Sequence, residues 1–417
     1  MNRVRANGRF VASFVGLVSG FAAAIAPVAL VAQQPSPTDP QPATTDASPV
    51  AAEVSRESEA AGTNGPRRAD GSSWTTFRGT FEGTGNSGAS LPESLELLWT
   101  KEVEKGAFES TAAIVDGRIV IADLDGRVYA LDLKDGTELW KFDTEGAGFI
   151  ASPTILDGRA YLGDLDGVVR AFDVASGEVV WSFETGLEVD AAATVHRGRI
   201  LVGSQDATLY CLDAKSGELV WKYQIADQIR CSPTLVEDRV FVAGCDGFLH
   251  IIGLENGEEI AKVEIGGPTG VTPAVVGDRL FLGTEDGRFL AIDWRKAELL
   301  WSWEEPRGQS IRSCPAVTDE RVVFGTRGRQ VIALDQTTGK EVWTFAARRG
   351  VDSSPVIVGG RLFIGAGDGR VYGLNVESGE KQWEFETGGE VTASPAVVDD
   401  RLVIADSRGT VYCFGRK

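Results

Sequence analysis

The chain has 417 residues, of which 43% are hydrophobic, and it carries a formal net charge of −19 at pH 7. This apolar fraction is enough for a continuous core. The strong negative charge disfavours nucleic acid and anionic lipid headgroups as partners, so a nucleic-acid function is excluded.

The first 32 residues have the pattern of a targeting segment. Arg3, Arg5 and Arg9 form a basic start without any acidic residue, and an uncharged apolar run follows from Phe10 to Val31. This pattern is typical of a secretory signal peptide that is cleaved after Ala32. A retained membrane anchor is the alternative, because about 20 apolar residues can span a bilayer. Both interpretations predict export to the periplasm or cell envelope, with membrane association only if the segment is retained.

A polar linker and a short apolar segment follow. Residues 33–72 are rich in Pro, Ala, Ser, Thr and Gly and have almost no large apolar side chains. Such a composition cannot offset the entropy of ordering, so we predict a disordered linker. Apolar residues return with Trp74, Phe77 and Phe81. We therefore expect residues 73–94 to pack on the folded body ahead of the repeats.

Tryptophan recurs along residues 95–417 with a nearly constant spacing. The seven positions are Trp99, Trp140, Trp181, Trp221, Trp301, Trp343 and Trp383. The steps are 41, 41, 40, 80, 42 and 40 residues, and the missing position falls at Ala261. A period near 40 residues predicts one small structural unit copied eight times. We expect the tryptophans to dock neighbouring units against each other.

Each unit has the pattern of four short strands. In the copy that begins at Phe149, strands A to D are predicted over 150–156, 160–164, 168–173 and 178–185. Asp-Gly and Ser-Gly pairs separate them and suit tight hairpins, because these residues tolerate positive φ. Helical periodicity is absent. Four-stranded antiparallel units repeated radially define an all-β fold, the eight-bladed β-propeller.

The eighth unit needs a strand from elsewhere. Its third strand is followed almost at once by Lys417, so no strand D remains. Residues 95–99, which end at Trp99, have the strand D pattern with no strands A to C before them. We predict that this N-terminal outer strand completes the last blade, because closing the ring removes two exposed sheet edges.

One position near the start of strand A varies strongly between copies. Its occupants in chain order are Glu109, Ile150, Asp190, Arg230, Gly270, Arg312, Asp352 and Thr392. Strand A carries the smallest residues and is predicted to be innermost, so these side chains should meet at the mouth of an axial channel. Five charges of both signs need pairing or water there. They either stabilise the mouth through salt bridges or bind a ligand or partner.

A group of arginines interrupts the acidic pattern of the loops. Alternate loops of a meander share a side, so the entrances of strand A and the B–C turns should lie on one face. The basic sector on that face consists of Arg307, Arg327, Arg329, Arg348 and Arg349. It is either a solvated charged surface or a docking site for an acidic partner segment.

The cysteines, histidines and Asp-Gly pairs of the sequence do not indicate metal binding or redox chemistry. The five cysteines include no adjacent pair and no CxxC motif, which favours buried thiols. One cross-strand bridge, between Cys231 and Cys245, is the alternative. The two histidines, His196 and His250, take unrelated positions in their units and are expected to be structural. We interpret the repeated Asp-Gly pairs as hairpin turns rather than calcium loops. No catalytic residue, metal ligand set or cofactor is expected.

The residues around each C–D turn form a recognisable motif. Ala130, Asp132, Gly136 and Trp140 follow the pattern A-x-D-x-x-x-G-x-x-x-W, which recurs with substitutions in the other copies. Copy four has lost the Asp and the Trp, and copy five has Ala297 in place of the turn glycine. This pattern resembles the tryptophan-docking motif of propellers built from PQQ-like (pyrrolo-quinoline quinone) repeats, and it covers essentially all of residues 95–417.

The resemblance implies one fold but two kinds of function. Quinoprotein alcohol and glucose dehydrogenases hold PQQ and calcium on the propeller axis. The methanol-type site uses an adjacent Cys-Cys disulfide, calcium ligands and a catalytic Asp. This sequence has no Cys-Cys pair and lacks the long insertions of those enzymes, so no catalytic residue is carried over. The other branch is non-catalytic and is similar to BamB, which assists the insertion of outer-membrane β-barrels.

We therefore predict an exported, non-catalytic propeller that acts as a monomeric binding scaffold for envelope proteins. By the resemblance, the β-barrel assembly machinery is a candidate partner. A PQQ- and calcium-dependent dehydrogenase is one alternative. A propeller that binds a small sugar or peptide in its channel is the other.

Overall fold

Every regular element of the described chain is a β-strand. The computed structural model describes residues 69–417, and within that range it contains 33 strands and no helix. The predicted targeting segment (1–32) and residues 33–68 of the predicted linker lie outside the described residues. Accordingly, no helix in the described part is long and apolar enough to cross a membrane.

Seven blades are formed by consecutive strands, and each is a four-stranded antiparallel meander. Blades 1 and 2 comprise β3 Ala113–Val115, β4 Arg118–Ala122, β5 Arg127–Asp132, β6 Glu138–Asp143, β7 Thr154–Leu156, β8 Arg159–Gly163, β9 Val168–Asp173 and β10 Val179–Glu184. Blades 3 and 4 comprise β11 Thr194–His196, β12 Arg199–Gly203, β13 Thr208–Asp213, β14 Leu219–Gln224, β15 Thr234–Val236, β16 Arg239–Ala243, β17 Phe248–Gly253 and β18 Glu259–Glu264.

The remaining blades complete the ring. Blades 5 and 6 comprise β19 Ala274–Val276, β20 Arg279–Gly283, β21 Arg288–Asp293, β22 Glu298–Glu304, β23 Ala316–Val317, β24 Arg321–Thr326, β25 Gln330–Asp335 and β26 Glu341–Ala346. Blade 7 comprises β27 Val356–Val358, β28 Arg361–Ala366, β29 Arg370–Asn375 and β30 Lys381–Glu386, and β1 Asn86–Ser87 pairs with β27 in parallel. Blade 8 comprises β31 Ala396–Val398, β32 Arg401–Ala405, β33 Thr410–Gly415 and β2 Glu96–Glu102.

The N-terminal strand closes the ring as predicted. Strand β2 pairs antiparallel with β33, with Trp99 opposite Cys413. The fold is therefore the eight-bladed propeller that the tryptophan spacing indicates, and it is closed by strands from the two ends of the propeller sequence. The prediction of fold class is confirmed.

The innermost strands are shorter than the sequence suggests. In blade 2 only Thr154–Leu156 belongs to the sheet, whereas residues 150–153 lie outside the ladder. Pro153 has no N–H to donate to a ladder, and the residues before it turn towards the axis.

Backbone groups near the axis instead form a belt that joins neighbouring blades. An N–H group of one blade donates to a side chain of the next at Thr111→Ser152, Ser232→Thr272, Thr272→Cys314, Cys314→Ser354, Ser354→Ser394 and Ser394→Thr111, over 2.9–3.3 Å. The acceptor is a hydroxyl oxygen in every case except Cys314, where it is sulfur. The belt is interrupted on both sides of blade 3: Ala192 offers no acceptor to Ser152, and its own N–H makes no hydrogen bond with Ser232.

Adding one missing link to the belt should stabilise the ring. In an Ala192→Ser variant, the added hydroxyl can accept from the N–H of Ser152, and we expect thermal unfolding to show a gain of about 1 kcal/mol. Ala175→Ser, on an exposed turn, adds the same hydroxyl without a belt contact and should leave stability unchanged. A lower melting temperature for Ala192→Ser alone would show that the gap in the belt has no room for a hydroxyl.

The repeated tryptophans lie between adjacent blades. Each indole Nε1–H donates to a backbone carbonyl of the next blade: Trp99 to Leu133, Trp140 to Val174, Trp181 to Ala214, Trp221 to Leu254, Trp301 to Gln336, Trp343 to Val376 and Trp383 to Leu95, over 2.9–3.2 Å. In every case except Trp383, whose neighbour blade 8 has no C–D turn, the ring covers the C–D turn of that blade. At Gly379, for example, φ is +71° and a Cβ atom would lie 2.6 Å from the Trp343 ring. Glycine is required there both by backbone conformation and by space.

A β-bulge in strand D orients each tryptophan. The residue before it is unpaired in the C–D ladder of every blade, as at Val180 and Val342. These bulged residues point outwards, so aliphatic side chains such as Val342 (42% exposed) lie on the outer rim. A bulge bends its strand locally, and here it turns the indole towards the neighbouring blade.

The two irregular copies, blades 4 and 5, face each other across one interface. The missing tryptophan at Ala261 belongs to blade 4, and the turn that would receive it belongs to blade 5, where Ala297 replaces glycine. Trp294 of blade 5 packs into this interface from the side of blade 5, in place of the missing tryptophan of blade 4. Its ring lies 5.3 Å from the Phe241 ring of blade 4, and its Nε1 donates to the Gly277 carbonyl at 2.9 Å. Without an indole above the turn, an alanine side chain is accommodated at position 297.

Candidate functional site

The two faces of the ring carry different connections. The upper face carries the B–C turns and the connections between blades, and the lower face carries the A–B and C–D turns. A cavity of about 350 Å³ lies on the axis, and all eight variable residues of the strand A entrances line it. Glu285, from the B–C turn of blade 5, also lines it, so the cavity opens towards the upper face.

An axial plug, residues 71–88, closes the lower end. Backbone hydrogen bonds join it to residues in, or directly after, the innermost strands of seven blades: Ile114, Ile155, Leu235, Val275, Val317, Ile357 and Asp399. The eighth contact, to blade 3, is an edge-on approach of Phe81 to His196 at 5.5 Å. Trp74 is 1% exposed, and Phe77 forms part of the cavity floor. The cavity is therefore a funnel with one open end.

Arg78 holds the centre of the plug. Its Nη2 donates to the carbonyls of Pro315 and Pro355 at 3.1 and 2.5 Å. In blades 2 to 4 a threonine hydroxyl bonds the corresponding carbonyl, as Thr154 does with Ala193. Blades 5 and 6 have no such hydroxyl, and Arg78 supplies the donor. Complete burial lowers the pKa of its guanidinium to about 10, so it stays charged at neutral pH.

Ion pairs occupy one half of the funnel wall. Arg230 Nε lies 3.7 Å from Asp190 Oδ2, and Arg230 Nη1 lies 3.7 Å from Glu285 Oε1. Arg312 Nη2 lies 3.5 Å from the same Glu285 oxygen. Four side chains from blades 3 to 6 thus form a continuous network. The predicted salt-bridge role of these residues has a clear geometric basis.

A second pair lies beside this network, between blades 6 and 7. Arg327 Nη2 and Nε approach the Asp352 carboxylate at 2.8–3.1 Å in a bidentate arrangement. This contact raises the pKa of Arg327. It joins a basic-sector residue to a channel-mouth residue, so the two predicted sites form one continuous surface.

Glu109 differs from the other channel-mouth charges. Its carboxylate lines the cavity but makes no hydrogen bond or ion pair with any residue in the range 69–417. Burial, followed by repulsion from Asp352 and Asp190, raises its pKa above the usual value. Asp190 also has a raised pKa because of burial, although Gln205 donates to its Oδ2 at 2.8 Å. Its Oδ1 and the Thr392 hydroxyl have no hydrogen-bond partner.

The basic sector lies entirely on the upper face of blades 5 to 7. Arg307 is held by Glu305 and by the Gly328 carbonyl, and Arg349 pairs with Glu390 at 2.6 Å. Arg329 and Arg348 are exposed, and their side chains make no hydrogen bond or ion pair with described residues. Arg408 of blade 8 lines the same open cleft as Arg348. Sequence reasoning missed Arg408, although its B–C turn position resembles that of Arg327.

The histidines and cysteines do not form a reactive centre. His250 is 4% exposed and contacts Tyr223, Asp246 and Glu259 at 3.0–3.4 Å. In other blades a tyrosine bonds the same turn aspartate, as Tyr210 does with Asp206 at 2.6 Å. All five cysteines are free thiols, so the alternative bridge between Cys231 and Cys245 does not form. No group of three or more His, Cys, Asp or Glu among residues 69–417 is arranged to hold a metal ion.

A closed ring of eight four-stranded blades, docked through tryptophans, defines a PQQ-like repeat propeller. A family model described as "Outer membrane protein assembly factor BamB" matches residues 91–193, 166–302 and 302–417. The chain belongs to this family. A search of curated protein sequences returns no significant match.

Solved structures of several propellers share the fold. BamB from Moraxella catarrhalis has a TM-score of 0.68 at 22% identity, covering 78% of this chain and 98% of its own. Quinohemoprotein alcohol dehydrogenase from Comamonas testosteroni has a TM-score of 0.71 at 15% identity, covering 83% and 81%. The computationally designed Ika8 protein has a TM-score of 0.68 at 19% identity, covering 77% and 100%. At these identities the similarity establishes the fold and leaves function to the site.

Proposed function

We propose that the protein is a non-catalytic, protein-binding scaffold of the cell envelope with a role in outer membrane protein assembly. The family match supports this class of function. The observation that carries the proposal is the pair of exposed, unpaired guanidinium groups at Arg329 and Arg348, in a chain whose net charge is −19. A local patch of opposite charge favours one orientation and an acidic partner segment.

An enzymatic role is supported less well by the same site. A quinone–calcium centre needs several clustered oxygen ligands for the ion, and no such group of acidic side chains exists among residues 69–417. Three of the four carboxylates that line the funnel already contact guanidinium groups. These residues do not fit a calcium-bound quinone.

The scaffold proposal predicts a specific loss of partner binding. An Arg329→Glu/Arg348→Glu variant should capture at least about tenfold less of the β-barrel assembly machinery from envelope extracts, because like charges would oppose the acidic partner. The Lys134→Glu/Lys215→Glu variant changes the net charge equally but lies on the lower face, and it should capture normal amounts. Equal capture by the two variants would refute docking at the basic sector.

The dehydrogenase alternative has its own readout. Adding PQQ and Ca²⁺ and measuring dye-linked alcohol oxidation should show no turnover above a sample without protein. Robust turnover would overturn the scaffold proposal whatever the variants capture.

A further inference from the structure

We propose that the axial funnel binds a single organic cation, an ammonium or guanidinium group, with Glu109 as its counter-ion. This inference goes beyond the proposed scaffold function, since it concerns the cavity rather than the basic sector. It rests on the charge balance of the funnel, its unpaired acceptor atoms, its volume and apolar lining, and the lack of a clustered set of metal ligands among the described residues.

The charges of the funnel leave one carboxylate uncompensated. Four carboxylates line it: Glu109, Asp190, Glu285 and Asp352. Three guanidinium groups face them, from Arg230, Arg312 and Arg327. Every carboxylate except Glu109 has one of these groups within 4 Å. Arg78 lies beneath the floor and bonds backbone carbonyls instead. These side chains therefore carry one more negative than positive charge, and Glu109 is the carboxylate without an ion pair.

The unpaired polar atoms are acceptors that match such a group. Besides the Glu109 carboxylate, which is exposed to solvent at the mouth, Asp190 Oδ1 and Thr392 Oγ1 are buried without a partner. Blade 8, which carries Thr392, neighbours blade 1, which carries Glu109, and blade 3 carries Asp190. An ammonium group has three N–H donors and a guanidinium group has five. A ligand of this kind can satisfy several acceptors that the protein leaves open.

The shape of the funnel favours a group on a stem rather than a bare ion. Its volume of about 350 Å³ lies at the lower end of the range for small-ligand pockets. Ile150 and Phe77 supply apolar wall and floor on which methylene groups can pack. A metal ion would require three or more clustered ligands, and the described residues provide none. The cation is therefore organic, carried either by a peptide side chain or by a free amine.

Binding should depend on pH through Glu109. Burial and the carboxylates of Asp352 and Asp190 raise the pKa of Glu109, and they outweigh the opposing charges of Arg312 and Arg327. Its negative charge is therefore lost at a higher pH than that of an ordinary glutamate. Cation binding should be complete near neutral pH and should weaken as the pH falls through this raised pKa.

Calorimetry can test the proposal on the intact protein. The probes are the peptide acetyl-Gly-Gly-Lys-Gly-Gly-amide, the same peptide with norleucine in place of lysine, and n-butylamine. The lysine peptide should bind at pH 7.5 and bind more weakly at pH 4.5, whereas the norleucine peptide should not bind. Glu109→Gln should weaken binding by about 10- to 100-fold, the loss of one charge-assisted hydrogen bond. Binding of butylamine as well would identify free amines as ligands, and binding of the peptide alone would identify a side chain.

Two results would overturn the proposal. One is equal affinity for the lysine and norleucine peptides, and the other is failure of the lysine peptide and butylamine to bind folded protein. Glu102→Gln, on the outer strand of blade 8, removes an equal charge far from the axis and should bind normally. Thermal unfolding of both variants confirms that they are folded. Partner capture through Arg329 and Arg348 is measured separately, so failure here leaves the scaffold proposal standing.

Discussion

Replacing Trp343 with alanine is expected to lower the free energy of unfolding by about 3–5 kcal/mol, as for other large aromatic side chains removed from a core. Trp343 is 9% exposed, packs on Gly379 and donates to the Val376 carbonyl at 3.0 Å. Its removal leaves a cavity between blades 6 and 7 and an unpaired carbonyl. Urea-induced unfolding monitored by circular dichroism measures the loss.

The preceding residue provides a matched control. Val342 occupies the β-bulge of the same strand, but its side chain is 42% exposed. Val342→Ala should change stability by less than about 0.5 kcal/mol. If the two variants lost stability equally, the strand itself would be the cause, and the docking role assigned to the tryptophans would be wrong.

Replacing Trp74 with alanine should loosen the axial plug and lower stability by a similar amount, about 3–5 kcal/mol. Trp74 is 1% exposed, and its backbone forms two hydrogen bonds of 2.8 Å with Ile114 of blade 1. Once the ring is lost, the plug should detach at this end and open the funnel floor. Thermal unfolding gives the loss in stability, and limited proteolysis should show faster cleavage within residues 71–88.

Ser72→Ala is the control that distinguishes loss of Trp74 packing from a general disturbance of the segment. Ser72 lies two residues away, is exposed and makes only a local contact with Asp70. It should leave both the melting temperature and the cleavage rate unchanged. Unchanged cleavage in the Trp74 variant as well would show that the plug is held without its tryptophan.

The blade count and the ring closure could be predicted because they depend on the spacing of the tryptophans along the sequence. Trp99 precedes the first complete unit and the eighth unit lacks an outer strand, so the two fragments had to be complementary. The charged position at the start of strand A was predictable for the same reason, since one register places all its occupants at the axis. All eight residues line one cavity.

The contacts of that cavity were not predictable from spacing. Glu285 lies in a B–C turn and pairs with Arg230 and Arg312, which belong to different blades. Only the curvature of the ring sets those distances. The sequence predicted that residues 73–94 pack on the folded body, but not the path of the plug, because residues 71–88 do not repeat and have no period to reveal that path. Similarly, Ala261 and Ala297 resembled two separate losses until Trp294 was found between their blades.

The path of the plug has a consequence for the order of events during synthesis. Gly71 bonds Asp399 of blade 8, and β2 pairs with β33 at the other end of the propeller sequence. Contacts between residues more than 300 positions apart close last and slow folding. Strand β2 leaves the ribosome early and therefore cannot pair until β33 has been synthesised. The funnel, whose floor and wall depend on both ends, exists only in a chain made to completion, so any ligand that enters it recognises a finished protein.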